Sequence, residues 1–216
     1  MLLSPTQPTP TSDKRHDNIQ GQIEIHGKHD VGVVHLAYWI PKYGNEKGPV
    51  VSAPQVMGSY RYRHVAIYQA KMQGYYRRLA PMKMMILAPE TYERYKESQD
   101  ELSKRRPDYK LHYGQSASPF LGLAIVRNLR VLPHRDEHDV KGGLVGMTQL
   151  SSDNVGQGGG DLIVGTARRQ YRLRYPPKSI VLFASQLLIH GVTPFGQAKR
   201  TALVSFAHHQ VLRSSQ

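Results

Sequence analysis

His134 and Asp136 stand one residue apart in the stretch Pro133-His134-Arg135-Asp136-Glu137-His138-Asp139. On extended backbone, side chains alternate between faces, so residues two apart point the same way and set an imidazole beside a carboxylate. A second imidazole, His190, lies in the apolar run Phe183-Ala184-Ser185-Gln186-Leu187-Leu188-Ile189-His190-Gly191-Val192, which delivers it to a buried place. Two imidazoles and one carboxylate make a facial ligand set that leaves coordination positions open on Fe(II), as dioxygen chemistry requires. Each residue also has a plainer reading. An isolated His-x-Asp arises by chance, a histidine in an apolar strand can be a core residue bonded to backbone, and Arg200 further on can be a surface strand cation. The case for iron rests on several such roles concurring.

The pattern resembles the Fe(II)/2-oxoglutarate-dependent dioxygenases. Their His-x-Asp, distal His and an Arg some ten residues later are met by His134, Asp136, His190 and Arg200. Gly158-Gly159-Gly160-Asp161-Leu162 is similar to the Gly-rich turn between the family's two metal arms, and Ser179-Ile180-Val181-Leu182-Phe183 to the strand entering the distal His. The likeness spans about Leu121 to Val211. It implies that His134, Asp136 and His190 hold Fe(II), and that Arg200 grips the distal carboxylate of 2-oxoglutarate, a task suited to a guanidinium fork. It also implies hydroxylation of a substrate C–H bond with dioxygen as co-substrate. Many members carry a Ser or Thr two residues after the Arg, whereas this chain has Ala202. Thr148 or a tyrosine such as Tyr171 is a candidate for the missing donor. Asn128, just before the loop to His134, is read either as a contact for substrate or co-substrate or as a turn former.

The chain has 216 residues, 29 Lys+Arg against 16 Asp+Glu, a net charge of +13 and no cysteine. That length suits one domain with a core of its own. Without cysteine, disulfides, thiolate zinc sites and cysteine nucleophiles are excluded, and any metal must be held by nitrogen and oxygen. The cationic balance favours a polyanionic partner, nucleic acid first. That charge and the look of Leu132 to Asp139 make the chain similar to the TET/JBP-like oxygenases of methylated bases, which include fungal relatives. Such an enzyme flips its base from the duplex and binds the backbone electrostatically. Two alternatives stay open: a protein side-chain hydroxylase of the prolyl type, and a non-catalytic basic β-barrel module that binds nucleic acid and whose histidines are structural. The N-terminal stretch lacks the apolar core of a signal peptide and no run approaches membrane-spanning length, so an intracellular location, nuclear or cytoplasmic, with no membrane partner is expected.

Positioning these residues calls for a mainly β, α+β fold. Residues 1–20, with Pro5, Pro8 and Pro10 among Ser, Thr and Gln, read as a disordered tail. Residues 21–120 read as strands and helices packed on the core: strands over Gln22–His26, Val31–Ile40 and Val50–Met57, a helix over His64–Leu79 stopped by Pro81, and a second over Glu90–Arg106 ended by Pro107. In residues 121–216 the pattern is β throughout, with strands at 121–127, 144–150, 161–166, 170–175, 179–184, 188–193 and 201–208. Short strands, Gly- and Pro-rich turns and no long intervening helix indicate an antiparallel jelly roll. The resemblance implies a double-stranded β-helix buttressed by the two helices.

The stretch Arg168-Arg169-Gln170-Tyr171-Arg172-Leu173-Arg174 is the strongest candidate for phosphate contact, since Arg172 and Arg174 would share a strand face. Its rival is solvated edge-strand charge that blocks aggregation. Arg61, Arg63, Arg77 and Arg78 pose the same choice. His138 and Asp139 read as groups behind the metal ligands or at the surface, and His208-His209 either as facing the barrel mouth or as a strand end, the latter preferred.

Overall fold

The computed structural model describes residues 14–39, 51–52, 79–105, 118–151 and 159–214. In chain order these form β1 (His16–Asp17), α1 (Ile19–His26), a 3-10 turn (Lys28–Asp30), β2 (Gly32–Trp39), β3 (Val51–Ser52), α2 (79–87) and α3 (Pro89–Arg105). There follow β4 (Gly122–Arg127), β5 (Arg130–Val131), β6 (Val145–Gln149), β7 (Leu162–Gly165), β8 (Gln170–Leu173), β9 (Ile180–Phe183), β10 (Ile189–Val192), β11 (Thr201–Phe206) and α4 (His209–Ser214). The strands make a six-stranded sheet in the order β3-β2-β4-β11-β6-β9, a three-stranded sheet β10-β7-β8 and the small pair β1-β5. Every pairing is antiparallel.

The large sheet divides the apolar residues by strand parity. His35, Ala124, Val204 and Met147 form one row across β2, β4, β11 and β6. Directly opposed residues share a face, so this row and the parallel row Val33, Val126, Ala202 and Gln149 look the same way. They look onto Leu162 and Val164 of β7, and a core with Val145, Phe183 and Tyr175 fills the gap between the sheets. The opposite face carries Leu123, Ile125 and Leu203. It is covered by Met84 of α2, Tyr95 and Leu102 of α3, and Val211 and Leu212 of α4. On α3 the buried set Tyr95, Ser98, Gln99 and Leu102 recurs at helical spacing. Acidic Glu90 in its first turn and Lys104-Arg105 in its last complement the helix dipole.

Several expectations change. Gln22–His26 is helix: Ile19 and Ile23, one turn apart, pack on the inter-sheet core with Gln22 buried beside them, while Ile25 is exposed. A strand would have put Ile23 and Ile25 on one face. Pro81 does not end a helix, since 79–87 is helical around it, and proline's fixed φ is itself helical. Within the expected tail, His16–Asp17 pairs with Arg130–Val131 and Ile19 opens α1. The strand expected to run to His208 stops at Phe206, and the helix α4 that follows from His209 was not anticipated. The expected elements over 53–78, with Arg61, Arg63, Arg77 and Arg78, lie outside the described residues, as does Arg106.

Candidate metal centre

His134 follows β5 and is joined to β10 by a pair of backbone hydrogen bonds, His134 N–H to His190 O at 2.9 Å and His190 N–H to His134 O at 2.8 Å. Gly191 permits this approach, because a Cβ there would stand 2.9 Å from the Pro133 nitrogen. The Asp136 N–H donates to Ser185 O at 3.2 Å and fixes the loop. The ligand atoms of His134, Asp136 and His190 consequently lie within 4.8 Å of one another. His134 Nε2 is 3.3 Å from Asp136 Oδ1, and His190 Nε2 is 3.2 Å from Asp136 Oδ2.

Each imidazole has its other nitrogen against a backbone carbonyl: His134 Nδ1 at 2.7 Å from Leu132 O and His190 Nδ1 at 3.2 Å from Leu188 O. A carbonyl only accepts, so both Nδ1 atoms carry the proton and both Nε2 atoms aim lone pairs at the carboxylate. Two lone-pair donors and a carboxylate converging on one point are satisfied by a shared cation, and the backbone carbonyls do the orienting that metal-bound histidines need. Burial penalises the Asp136 carboxylate, but the two imidazoles beside it outweigh that penalty and hold the group far below the usual carboxylate range. Arg15 adds an ion pair to Asp136 Oδ1 at 2.8 Å. It comes from the stretch expected to be a tail, delivered by the β1–β5 pairing.

A cavity of about 280 Å³ between the two sheets is lined both by this triad and by Arg200. Along β11 the lining residues are Arg200, Ala202, Val204, Phe206 and, just beyond the strand, His208, alternate positions on one face. Met147, Leu162 and Val192 add apolar wall. Arg200 is 1% exposed, and its Nε and Nη2 are buried without a hydrogen-bond partner. Burial lowers its pKa, only partly countered by Tyr175, whose ring centre lies 5.9 Å from the guanidinium carbon. Among the described residues no carboxylate stands within salt-bridge distance of it. A fully buried cation with unused donors at one end of a cavity, and a metal-ligand triad lining the same cavity, is what a dicarboxylate chelating a metal would fill.

The other anticipated co-substrate contacts do not face this cavity. Asn128, in left-handed backbone at φ 46°, donates from Nδ2 to Asp30 O at 2.9 Å and accepts the Arg200 N–H at 2.7 Å through Oδ1. Its side chain is fully used in fixing the entry to β11. Thr148 is opposed to Leu203 and Ile180, on the face that meets the helices, because it is one residue out of phase with Met147. Tyr171 is 56% exposed. Of the arginines, Arg172 is tied by Nε to Asp161 Oδ2 at 2.7 Å, while Arg168, Arg169 and Arg174 lie on the exposed turn and edge around β8. Arg174 falls beyond the end of β8, so no strand places it on one face with Arg172.

The cavity also holds two groups that the sequence placed behind the ligands or at a strand end. Asp139 and His208 both line it and are joined by a β-bridge, with His208 Nε2 3.7 Å from Asp139 Oδ1. Burial, then the charge of Asp136, pushes the Asp139 carboxyl up to about 7, although Ser185 Oγ donates to it at 2.5 Å. Burial, then His138, lowers His208 to about 4, so at neutral pH it is an uncharged imidazole and the contact is not an ion pair. The Phe206 ring stands 5.0 Å from the His208 ring. The period-two alternation from Arg200 to His208 is the sequence signal that could have found Phe206 and His208. Asp139 had none, because its direction is set by the loop.

Comparison with known proteins agrees with this chemistry. A family model for the Tet_JBP oxygenase domain of the 2OGFeDO superfamily matches residues 62–209, more than half of the chain. Among solved structures, NgTET1 in complex with 5mC DNA is similar at 11% identity with a TM-score of 0.56, over 89% of this chain and 67% of that one. A Pseudomonas putida prolyl-4-hydroxylase gives 16% identity and a TM-score of 0.34, over 51% of this chain and 61% of that one. A 2OG-Fe(II) family oxidoreductase from Burkholderia pseudomallei gives 18% and 0.34, over 50% and 55%. No protein of curated function matches the chain.

Proposed function

Since the chain belongs to the Tet/JBP oxygenase-domain family of the 2OGFeDO superfamily, whose enzymes use Fe(II) and 2-oxoglutarate, we propose that it hydroxylates the methyl group of a 5-methylpyrimidine in nucleic acid. The observation that carries this reading is one cavity bounded by the His134–Asp136–His190 triad, by Arg200, and by a wall of Phe206, His208 and Asp139. The alternation of β4, β6, β9 and β11 in one sheet with β7, β8 and β10 in the other, and the bridge of His134 to β10, supports a double-stranded β-helix. In this reading residues 121–216 are its catalytic core, against which the described elements before it, α1, β2, α2 and α3, are set.

In this reading His134, Asp136 and His190 hold Fe(II), and Arg200 takes the far carboxylate of 2-oxoglutarate. Iron and co-substrate together supply the oxidising power that converts a C–H bond to C–OH while 2-oxoglutarate and dioxygen become succinate and CO2. The residues of the chain do the positioning. The Leu132 and Leu188 carbonyls fix both imidazoles. Met147, Leu162, Val192 and Val204 keep water from the reacting atoms. Neutral His208 offers one donor and one acceptor, and the Asp139 carboxyl, held by Ser185, can pair with an amino group. A cytosine edge presents an amino donor beside a ring-nitrogen acceptor, and the Phe206 ring offers a stacking face. The pyrrolidine ring of a prolyl substrate has no such edge to engage, and a non-catalytic module would have no use for the buried, unpartnered Arg200.

The cationic side of the molecule fits the same substrate. Register places Ile189, Gly165 and Gln170 in the row next to the β7–β8 turn, and His190, Val164 and Tyr171 in the one after it. Arg168 and Arg169 therefore project from the end of the sheet nearer the triad, where the backbone flanking a flipped base would pass. The test is succinate release with Fe(II) and 2-oxoglutarate: stimulation by duplex DNA containing 5-methylcytosine, and none by proline-rich peptide, is expected. The reverse preference would overturn the substrate assignment.

A further inference from the structure

We propose that Gln149 and Tyr175 complete the carboxylate site around Arg200, standing in for the hydroxyl that the family places where this chain has Ala202. This inference rests on the co-substrate reading above and names its remaining donors.

Gln149 is opposed to Ala202 across the β6–β11 ladder, on the same sheet face as Met147 and the rest of the cavity lining. It is 0% exposed, and its Nε2 is buried with no partner. The orientation of the amide is fixed from behind. Ser151 Oγ accepts the Thr201 N–H at 2.8 Å, so its own proton goes to Gln149 Oε1 at 3.1 Å. The –NH2 end is left as an unused donor pointing away from Ser151. Tyr175 is likewise 0% exposed, with an unpartnered hydroxyl and its ring 5.9 Å from the Arg200 guanidinium carbon.

Arg200, which lines the cavity, Gln149, opposite the cavity-lining Ala202, and Tyr175, whose ring lies beside the guanidinium, thus carry four buried polar atoms without hydrogen-bond partners among the described residues: Nε and Nη2 of Arg200, Nε2 of Gln149 and the Tyr175 oxygen. Unsatisfied buried donors are costly, and a protein keeps several together where a ligand satisfies them. All four can donate and the cluster carries one positive charge, so the ligand is a monoanionic acceptor with several lone pairs. A carboxylate oxygen pair has that inventory. Ala202 is also 0% exposed and leaves no hydroxyl of its own on β11 to do this work.

The test measures equilibrium binding of 2-oxoglutarate, and separately of oxalate, to the Fe(II)-loaded protein under argon, for wild type, Gln149→Leu, Tyr175→Phe and the double variant Gln149→Leu/Ala202→Ser. Oxalate retains the chelating end and lacks the distant carboxylate. Each single variant should bind 2-oxoglutarate about 10- to 100-fold more weakly, the worth of one hydrogen bond to a charged group, with oxalate binding unchanged. Ala202→Ser should recover most of the loss in the Gln149→Leu background by restoring a hydroxyl on the facing strand. Wild-type affinity in both single variants, or equal loss of oxalate and 2-oxoglutarate, would overturn the assignment of these donors while leaving the oxygenase reading intact. Failure of the wild type itself to bind 2-oxoglutarate would overturn both.

Discussion

Replacing Arg200 by methionine should make the ligand-free protein more stable and deaf to its co-substrate. The guanidinium is 1% exposed, with two nitrogens unpartnered and, among the described residues, Tyr175 as its one electrostatic neighbour, so the folded state bears its desolvation with little return. Exchanging buried charge for well-packed apolar atoms of similar length typically stabilises by about 1–4 kcal/mol. Methionine keeps the stem packing, and the backbone N–H bond to Asn128 survives. For a chain of this size about 1 kcal/mol moves Tm by roughly 2–4 °C, so a rise of several degrees is expected without ligand. In the wild type, 2-oxoglutarate at one hundred times its Kd should add about 2.7 kcal/mol, or roughly 5–10 °C. That shift should vanish in Arg200→Met and be intermediate in Arg200→Lys, which keeps the charge and loses the fork. Calorimetric scans with and without 2-oxoglutarate read both numbers. An Arg200→Met protein less stable than wild type, or one with the full ligand-induced shift, would refute the view that this cation is kept for a bound anion.

Other expectations follow from single features. Gly159, at φ +120°, would place an added Cβ 1.7 Å from the Pro194 carbonyl oxygen, so Gly159→Ala should cost more than about 2 kcal/mol in urea denaturation. His208 takes its proton near pH 4 when folded, against an ordinary 6.5 when unfolded, so the unfolded state binds more protons in that window. In the metal-free protein His208 should therefore destabilise by up to about 3 kcal/mol as pH drops from 6.5 towards 4, against an opposite contribution from the Asp139 carboxyl, pushed up to about 7 in the fold; the wild-type curve minus that of His208→Gln isolates the His208 loss. Arg168→Ala/Arg169→Ala should lower the salt dependence of duplex DNA binding by about two units of log–log slope. The Lys104→Ala/Arg105→Ala control on α3 should not.

Much of this was legible in the chain because β-strand parity is written locally. The spacing of His134 and Asp136, the apolar run into His190, and the strands from 122 to 206 each follow from short-range pattern. What escaped depends on partners distant in sequence. Gln22–His26 alternates like a strand, yet Ile19 and Ile23 find the inter-sheet core only as a helix. Thr148 has the right chemistry for a carboxylate contact and the wrong parity, whereas Gln149 beside it has the right parity and a side chain no motif singles out. Asn128 has the chemistry to reach a ligand, but its amide is locked between Asp30 and Arg200. Tyr171 and Tyr175 are four residues apart in one basic stretch, and only the fold exposes one and buries the other. Arg172 looked available for phosphate and is held by Asp161.

The central claim, that two imidazoles, one carboxylate and a buried guanidinium serve one iron and one dicarboxylate, is tested most directly by the visible spectrum of the protein with Fe(II) and 2-oxoglutarate under argon. A weak metal-to-ligand band should develop in the wild type, shift or weaken in Arg200→Met, and be absent in folded His134→Ala and Asp136→Ala. No band in folded wild type, or an unchanged band in folded Asp136→Ala, would contradict it.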